Sequence, residues 1–182
     1  MTTTSRIPRG AELLFDAARI EETVDRLGDE IQSTYGDEEV TAVVVMRGGL
    51  VFAADLIRRL EMPLRLDFVH VSSYHGTQPG ALAVQGGFDF DLTDRHVLII
   101  EDILDTGRTL KRICELAATR SPRSLRTVTL LDKPSRRAVD FEPDFTGFTI
   151  PDKFVVGYGL DYNERWRNLR DIVALDPQDL PE

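Results

Sequence analysis

The sequence predicts an α/β fold: a doubly wound, mostly parallel sheet with a small hood over its carboxyl edge. Three observations carry that reading. The run Val97-Leu98-Ile99-Ile100 places β-branched and aliphatic residues in unbroken succession, as in a strand buried on both faces of a parallel sheet. Runs of this kind alternate with helical-period segments from Thr41 to Leu131, the order expected of βαβ units. From Phe145 to Ala174 the alternation gives way to short aromatic strands and turns, which form a separate small layer able to cover the edge where the strands end.

In chain order, Leu13, Ala17, Ile20, Val24, Leu27, Ile31 and Tyr35 recur at steps of three and four, predicting one amphipathic helix that ends near Gly36. Gly28 weakens its last turns. Thr41 to Met46 reads as a buried strand, Leu50 to Leu60 as a helix stopped before Pro63, and Leu64 to Val71 as the next strand. Residues 72 to 90 are a glycine-dotted excursion. Val97 to Ile100 is a strand and Thr109 to Thr119 its helix, in which Leu110, Ile113, Cys114 and Ala117 share one face. Arg126 to Leu131 is a further strand. The chain reads as a single domain, 1–182, with a core of about 37–135 and a hood of about 145–175 joined by the N-terminal segment.

Composition narrows the function classes. With 182 residues and 42% hydrophobic content, the chain can bury a sizeable core. A net charge of −9 argues against nucleic acid or a membrane surface as partner, since both would repel most of the surface. No apolar run reaches the length of a membrane span, and Met1 to Arg6 lacks the apolar centre of a secretory signal, so the cytoplasm is the expected compartment. Cys114 is the sole cysteine, which excludes an internal disulfide and any multi-cysteine metal site. Its helical spacing makes it a core residue.

The chemistry concentrates where Val97–Ile100 runs into Glu101-Asp102-Ile103-Leu104-Asp105-Thr106-Gly107-Arg108-Thr109. Two carboxylates at the carboxyl end of a parallel strand sit where open α/β sheets bind ligands. The turn from Asp105 to Thr109 opens a helix whose free N–H groups and positive dipole end favour an anion. Together they ask for a ligand carrying hydroxyls and phosphate. An acid pair ending a strand is, in isolation, ordinary solvated loop, and it is the succession of strand, acids and turn that is specific. The strand before Arg47-Gly48-Gly49 ends on the same edge, bringing N–H groups and a cation there, although glycines in a βα turn also serve tight packing alone. A polyanionic ligand on so acidic a protein needs local cations, for which Arg47, Arg108, Lys133, Lys153, Arg165 and Arg167 are the candidates.

The segment Val97–Thr109 resembles the motif with which type I phosphoribosyltransferases bind 5-phosphoribosyl 1-pyrophosphate (PRPP). The resemblance implies that family's fold, with Glu101 and Asp102 on the ribose hydroxyls and Asp105, Thr106, Gly107, Arg108 and Thr109 around the 5′-phosphate. It implies that Arg47 and Gly48 form the pyrophosphate loop, with a cis peptide between Met46 and Arg47. Many relatives carry lysine at that position, so arginine changes the hydrogen-bond geometry there. Ser72, Ser73 and Tyr74 correspond to the start of a lid that closes over the reaction centre. The same segment could also be a plain surface hairpin.

Leu131-Asp132-Lys133-Pro134 and Ile150 to Arg167 resemble the hypoxanthine-guanine branch of that family in its bacterial form. By that likeness Phe154 stacks on the purine, Val155 reads its edge through the backbone, and Lys133 donates to the 6-oxo group with Lys153 in support. Ile103 lines the other side of the base, and Arg167 contacts pyrophosphate. Glu101, Asp102 and Asp161 hold Mg2+, Asp161 through water. Phe154 as core and Lys133 as a solvated strand end are the plain alternatives. The implied activity is transfer of the 5-phosphoribosyl group from PRPP to N9 of hypoxanthine or guanine, giving IMP or GMP and pyrophosphate, with Asp105 as the acid-base residue. The implied assembly is a homodimer or homotetramer. A non-catalytic regulator of this fold that senses PRPP or nucleotides is the second reading, to which the acidic charge and the lack of a basic face are unfavourable.

Overall fold

The computed structural model describes residues 10–73, 82–85 and 88–176. In order they form β1 (Glu12–Phe15), α1 (Ala17–Tyr35), β2 (Val40–Met46), α2 (Gly49–Leu56), β3 (Leu64–Ser73), β4 (Leu82–Gln85), β5 (His96–Leu104), α3 (Arg108–Ala118), β6 (Ser124–Asp132), β7 (Phe145–Thr149), β8 (Phe154–Val156) and β9 (Ile172–Leu175), with 3₁₀ turns at Ile57–Arg59 and Pro134–Arg136. The main sheet has the order β4-β3-β2-β5-β6-β7. Its strands run parallel except β4, which is antiparallel to β3. The hood is a second, three-stranded antiparallel sheet, β1-β9-β8.

The two faces of the main sheet bury separate cores, which is why its strands read as continuous apolar runs. Ala42 and Val44 of β2 and Leu98 and Ile100 of β5 pack with α1, α2 and the hood. Val43, Val45, Val97 and Ile99 pack on the other side with Leu110, Ile113 and Ala117 of α3. Cys114 packs half-buried against this second cluster, as its spacing predicts. Burial pushes its thiol up to about 12, so it stays protonated at neutral pH. No helix among the described residues is long and apolar enough to cross a membrane.

Four expectations need correction. Leu13 is not the first residue of the N-terminal helix: it lies in β1, paired with Val173 and 54% exposed. Asp16 accepts from the Arg19 N–H at 2.9 Å, and this side-chain cap starts α1 at Ala17. The helix after β2 keeps α geometry only to Leu56, then tightens into the 3₁₀ turn. β7 is no part of the hood; it extends the main sheet beside β6, where a Cβ on Gly147 would stand 2.5 Å from the Leu130 carbonyl oxygen. Phe148 of β7 stacks on Phe15 of β1, ring centroids 3.8 Å apart, and so joins sheet to hood. Finally, the excursion after Val71 begins as ordered backbone, because Ser72 and Ser73 continue β3 and pair with Ala83 and Leu82 of β4.

Candidate active site

A cavity of about 360 Å³ opens at the carboxyl edge, between the ends of β2, β3 and β5 and the start of α3. Glu101, Asp102, Ile103, Asp105, Thr106, Gly107 and Thr109 line it. β5 does not stop before the acids, as expected from sequence, but carries them inside the strand and runs on to Leu104. Adjacent residues of a regular strand point to opposite faces. Here the alternation slips at the acid pair: before it Ile100 packs with the α1 cluster and Ile99 with the α3 cluster, whereas beyond it Ile103 joins the former and Leu104 the latter. Both carboxylates consequently border one cavity.

Glu101 and Asp102 are buried, at 8% and 7% exposure. Loss of solvent, and then the Asp102 charge, raises the Glu101 carboxyl well above the ordinary range. Burial also raises Asp102, opposed by hydrogen bonds and by the field of Arg167; its Oδ1 accepts from the Ile103 N–H at 2.8 Å. A buried acid pair of this kind is stabilised as two anions only by a cation or hydroxyl donors. The folded chain holds the Glu101 proton to higher pH than the unfolded chain does. Stability contributed here is therefore present at low pH and falls as pH rises from the ordinary carboxylate range to the raised folded value. Glu101→Gln removes that loss. Its Tm without ligand should exceed the parent's at about pH 8, with the difference vanishing near about pH 4; a variant no more stable than its parent at the higher pH would mean the carboxylate already has a compensating partner.

The α3 terminus suits an anion. Asp16 caps α1, but Gly107 caps α3 in the left-handed region (φ 80°) without any side-chain hydrogen bond. The Arg108 N–H makes a long bond to the Thr106 hydroxyl at 3.5 Å, and the N–H groups that follow it in the first turn of α3 are left for a ligand. Thr106 and Thr109 face the cavity, while Arg108 is exposed and is not among its lining residues.

The β2–α2 turn approaches the acids from the side. The Met46–Arg47 peptide is cis, as the resemblance implies. A Cβ on Gly48 would fall 1.9 Å from an oxygen of Asp102, so only glycine brings this backbone against the carboxylate. A Cβ on Gly159 (φ 100°) would stand 2.6 Å from the Gly48 carbonyl oxygen, so the hood closes the turn from above. Arg47 pairs with Glu164 at 3.1 Å. Arg167 pairs with Asp161 at 2.7 Å, donates to the Gly159 carbonyl at 2.7 Å and lies 3.8 Å from Glu164. The two cations expected on pyrophosphate are therefore both held by hood carboxylates, and Glu164 is a partner that motif reading passed over. Asp161 has both oxygens engaged, one by Arg167 and one by the Glu164 N–H at 2.8 Å.

Lys133 follows β6 and is 6% exposed. Its N–H donates to the Leu104 carbonyl at 2.9 Å, which fixes it beside the end of β5. It makes no salt bridge among the described residues, an arrangement that favours a ligand acceptor. Phe154 is 37% exposed and meets Tyr162 edge-on (5.5 Å, 89°), while buried Val155 pairs with Ala174. Lys153 is drawn elsewhere, its Nζ lying 2.5 Å from Glu12 of β1. The Asp105 carboxylate lies 3.2 Å from Arg136, which also reaches Asp152 at 3.7 Å. Sequence reading missed Arg136; its only signal was a pair of arginines following Lys133-Pro134. The lid residue Tyr74 lies outside the described residues, as do the side chains of Ser72 and Ser73.

The phosphoribosyl transferase domain family model matches residues 10–163. A hypoxanthine-guanine phosphoribosyltransferase of Bacillus subtilis is 45% identical over 168 residues, covering 91% of this chain and 93% of that protein. The crystal structure of a Staphylococcus aureus hypoxanthine phosphoribosyltransferase superposes with a TM-score of 0.88 at 42% identity, over 94% of each chain. The Trypanosoma cruzi hypoxanthine phosphoribosyltransferase in complex with its product IMP gives 0.88 at 38% identity, over 95% of this chain and 98% of that one.

Proposed function

This chain belongs to the phosphoribosyl transferase domain family, and from that premise we propose how its residues transfer the 5-phosphoribosyl group of PRPP to N9 of hypoxanthine or guanine. The activity is that of its relatives, which are hypoxanthine-guanine phosphoribosyltransferases. The observation that carries the assignment of roles is the convergence on one cavity of the acid pair, the open α3 terminus and Asp105.

Glu101 and Asp102 accept from the ribose hydroxyls, which supplies the donors that their burial demands. The N–H groups and threonine hydroxyls of residues 106–109 hold the 5′-phosphate. Arg47, the Gly48 backbone and Arg167 take the pyrophosphate, with the two arginines exchanging Glu164 and Asp161 for the ligand. The purine lies between Ile103 and the exposed face of Phe154, with Lys133 on its 6-oxo group, while Asp105 handles the proton at N7. Stacking supplies affinity and the polar groups decide identity. Ser72, Ser73 and Tyr74 begin a lid that excludes water from the electron-poor ribosyl centre.

A magnesium ion fits this donor set in one manner. Among the described residues no cluster of three or more acids, histidines or cysteines could hold an ion alone. Glu101 and Asp102 nevertheless present two buried carboxyl groups whose ionised form a cation would stabilise, and the free lone pairs of Asp161 can accept from metal-bound water. Such an ion would retain waters and take substrate oxygens, as magnesium does, and when bound it would neutralise charge on the departing pyrophosphate.

The test is pyrophosphate release from PRPP and magnesium with a panel of hypoxanthine, guanine, xanthine and adenine. Release with hypoxanthine or guanine is the expected result. Tight PRPP binding without turnover on any base would instead favour the sensing role.

A further inference from the structure

Arg137 contacts no ligand in the scheme above, yet its guanidinium ties together the ends of two central strands. It follows the turn Pro134–Arg136, and its side chain is 15% exposed, against 12% for Asp132. Nη1 donates to the carbonyls of Leu104 at 3.2 Å and Asp105 at 2.6 Å, and Nη2 donates to the Asp132 carboxylate. The ladder between β5 and β6 ends at the pair Leu104 and Asp132. Asp105 lies one residue beyond it, so its carbonyl finds in the guanidinium the donor that a sheet neighbour would otherwise supply. Backbone bonds run alongside: the Lys133 N–H donates to Leu104 at 2.9 Å, and the Ala138 N–H to Thr106 at 3.0 Å. The arginine stem also abuts the phosphate turn, since a Cβ on Gly107 would lie 3.0 Å from its Cδ.

We propose that Arg137 is a positioning residue that sets the separation of Lys133 and Asp105, and thereby the geometry in which the purine is read and deprotonated. This rests on the purine-transfer reading. Asp132 precedes Lys133 directly and Asp105 supplies the proposed acid-base carboxylate, so one planar fork grips the chain beside both groups. A guanidinium can reach two carbonyls and a carboxylate at once, whereas a lysine ammonium is a single point on a flexible stem. A misplacement of about 1 Å at a reacting group costs ~10²-fold in rate. PRPP is held mainly by residues 106–109 and the Arg47 turn, so the loss falls on the purine step.

Three variants decide it. Arg137→Gln leaves Asp132 buried without its cation, and should lower Tm as well as kcat/KM for hypoxanthine. Asp132→Asn with Arg137→Gln removes both charges; Tm is expected to return near the parent value while kcat/KM for hypoxanthine stays down ~10²-fold and PRPP affinity, by calorimetry, stays close to the parent's. Arg137→Lys preserves the charge against Asp132 and should fold, yet not restore kcat/KM. Recovery of activity together with Tm in the double variant, full activity in Arg137→Lys, or an equal loss of PRPP binding would each overturn the proposal. If the double variant does not fold, Arg137→Lys decides alone. Absence of turnover in the parent protein overturns the purine reading, and this inference with it; turnover in the parent combined with full activity in the variants overturns this inference alone.

Discussion

Asp105→Asn should lower kcat by ~10²-fold or more while leaving PRPP affinity nearly unchanged. The carboxylate stands half-exposed on the turn after β5 and borders the same cavity as the acid pair. Asparagine keeps the size of the side chain and an oxygen that can still accept from Arg136, so the ion pair at 3.2 Å becomes a weaker hydrogen bond without loss of the loop contact. What asparagine cannot do is exchange a proton with a purine nitrogen at neutral pH. A fall in kcat with constant PRPP Kd would assign the loss to the chemical step. A variant with normal Tm and near-normal kcat would instead reduce Asp105 to an anchor for Arg136, and the proton would need another acceptor.

The parts of this site that were legible in the sequence are those carried by consecutive residues. Val97 to Thr109 contains strand, acids and helix-opening turn within one local stretch, and cavity and helix start both fall where those residues put them. Arg47-Gly48-Gly49 was legible for the same reason, and Gly48 has the closest cause: a side chain there would collide with Asp102. What escaped was decided by partners distant in sequence. Leu13 fits the helical period, but Asp16 caps the helix after it and β9 claims it as a strand. Phe145–Thr149 looks like hood by composition and becomes main sheet because β6 offers a free edge. The slip of alternation at Glu101-Asp102 leaves no trace in the residue pattern, since acids there would be read as facing the ligand in either register. Arg136 and Arg137 fall in no motif, and their place is set by partners brought beside them by the fold, Asp105 and Asp132.

Adenine should be a very poor substrate, because Lys133 can donate to a 6-oxo oxygen but faces a second donor when a 6-amino group takes its place. Lys133 is 6% exposed as a residue, its side chain has no salt-bridge partner among the described residues, and its backbone is fixed at the strand end by the N–H bond to Leu104. A site built to pair one polar group rejects the mismatched analogue strongly, since the buried donor is left unsatisfied, and such discrimination reaches ~10⁴- to 10⁵-fold. Lys133→Gln keeps a hydrogen-bond donor of similar reach and removes the charge. It should lower kcat/KM for hypoxanthine and guanine while leaving PRPP affinity close to the parent's, since residues 106–109 and the acid pair are untouched. The separation matters, because loss of both would indicate a collapsed strand end instead of a lost base contact. Lys153 offers no substitute in the arrangement seen here, its Nζ being paired with Glu12 at 2.5 Å. If the parent used adenine as well as hypoxanthine, or if Lys133→Gln kept full kcat/KM for hypoxanthine, the donor to the base would have to be sought in the hood backbone around Val155, and the burial of a lysine without a salt-bridge partner among the described residues would need another cause.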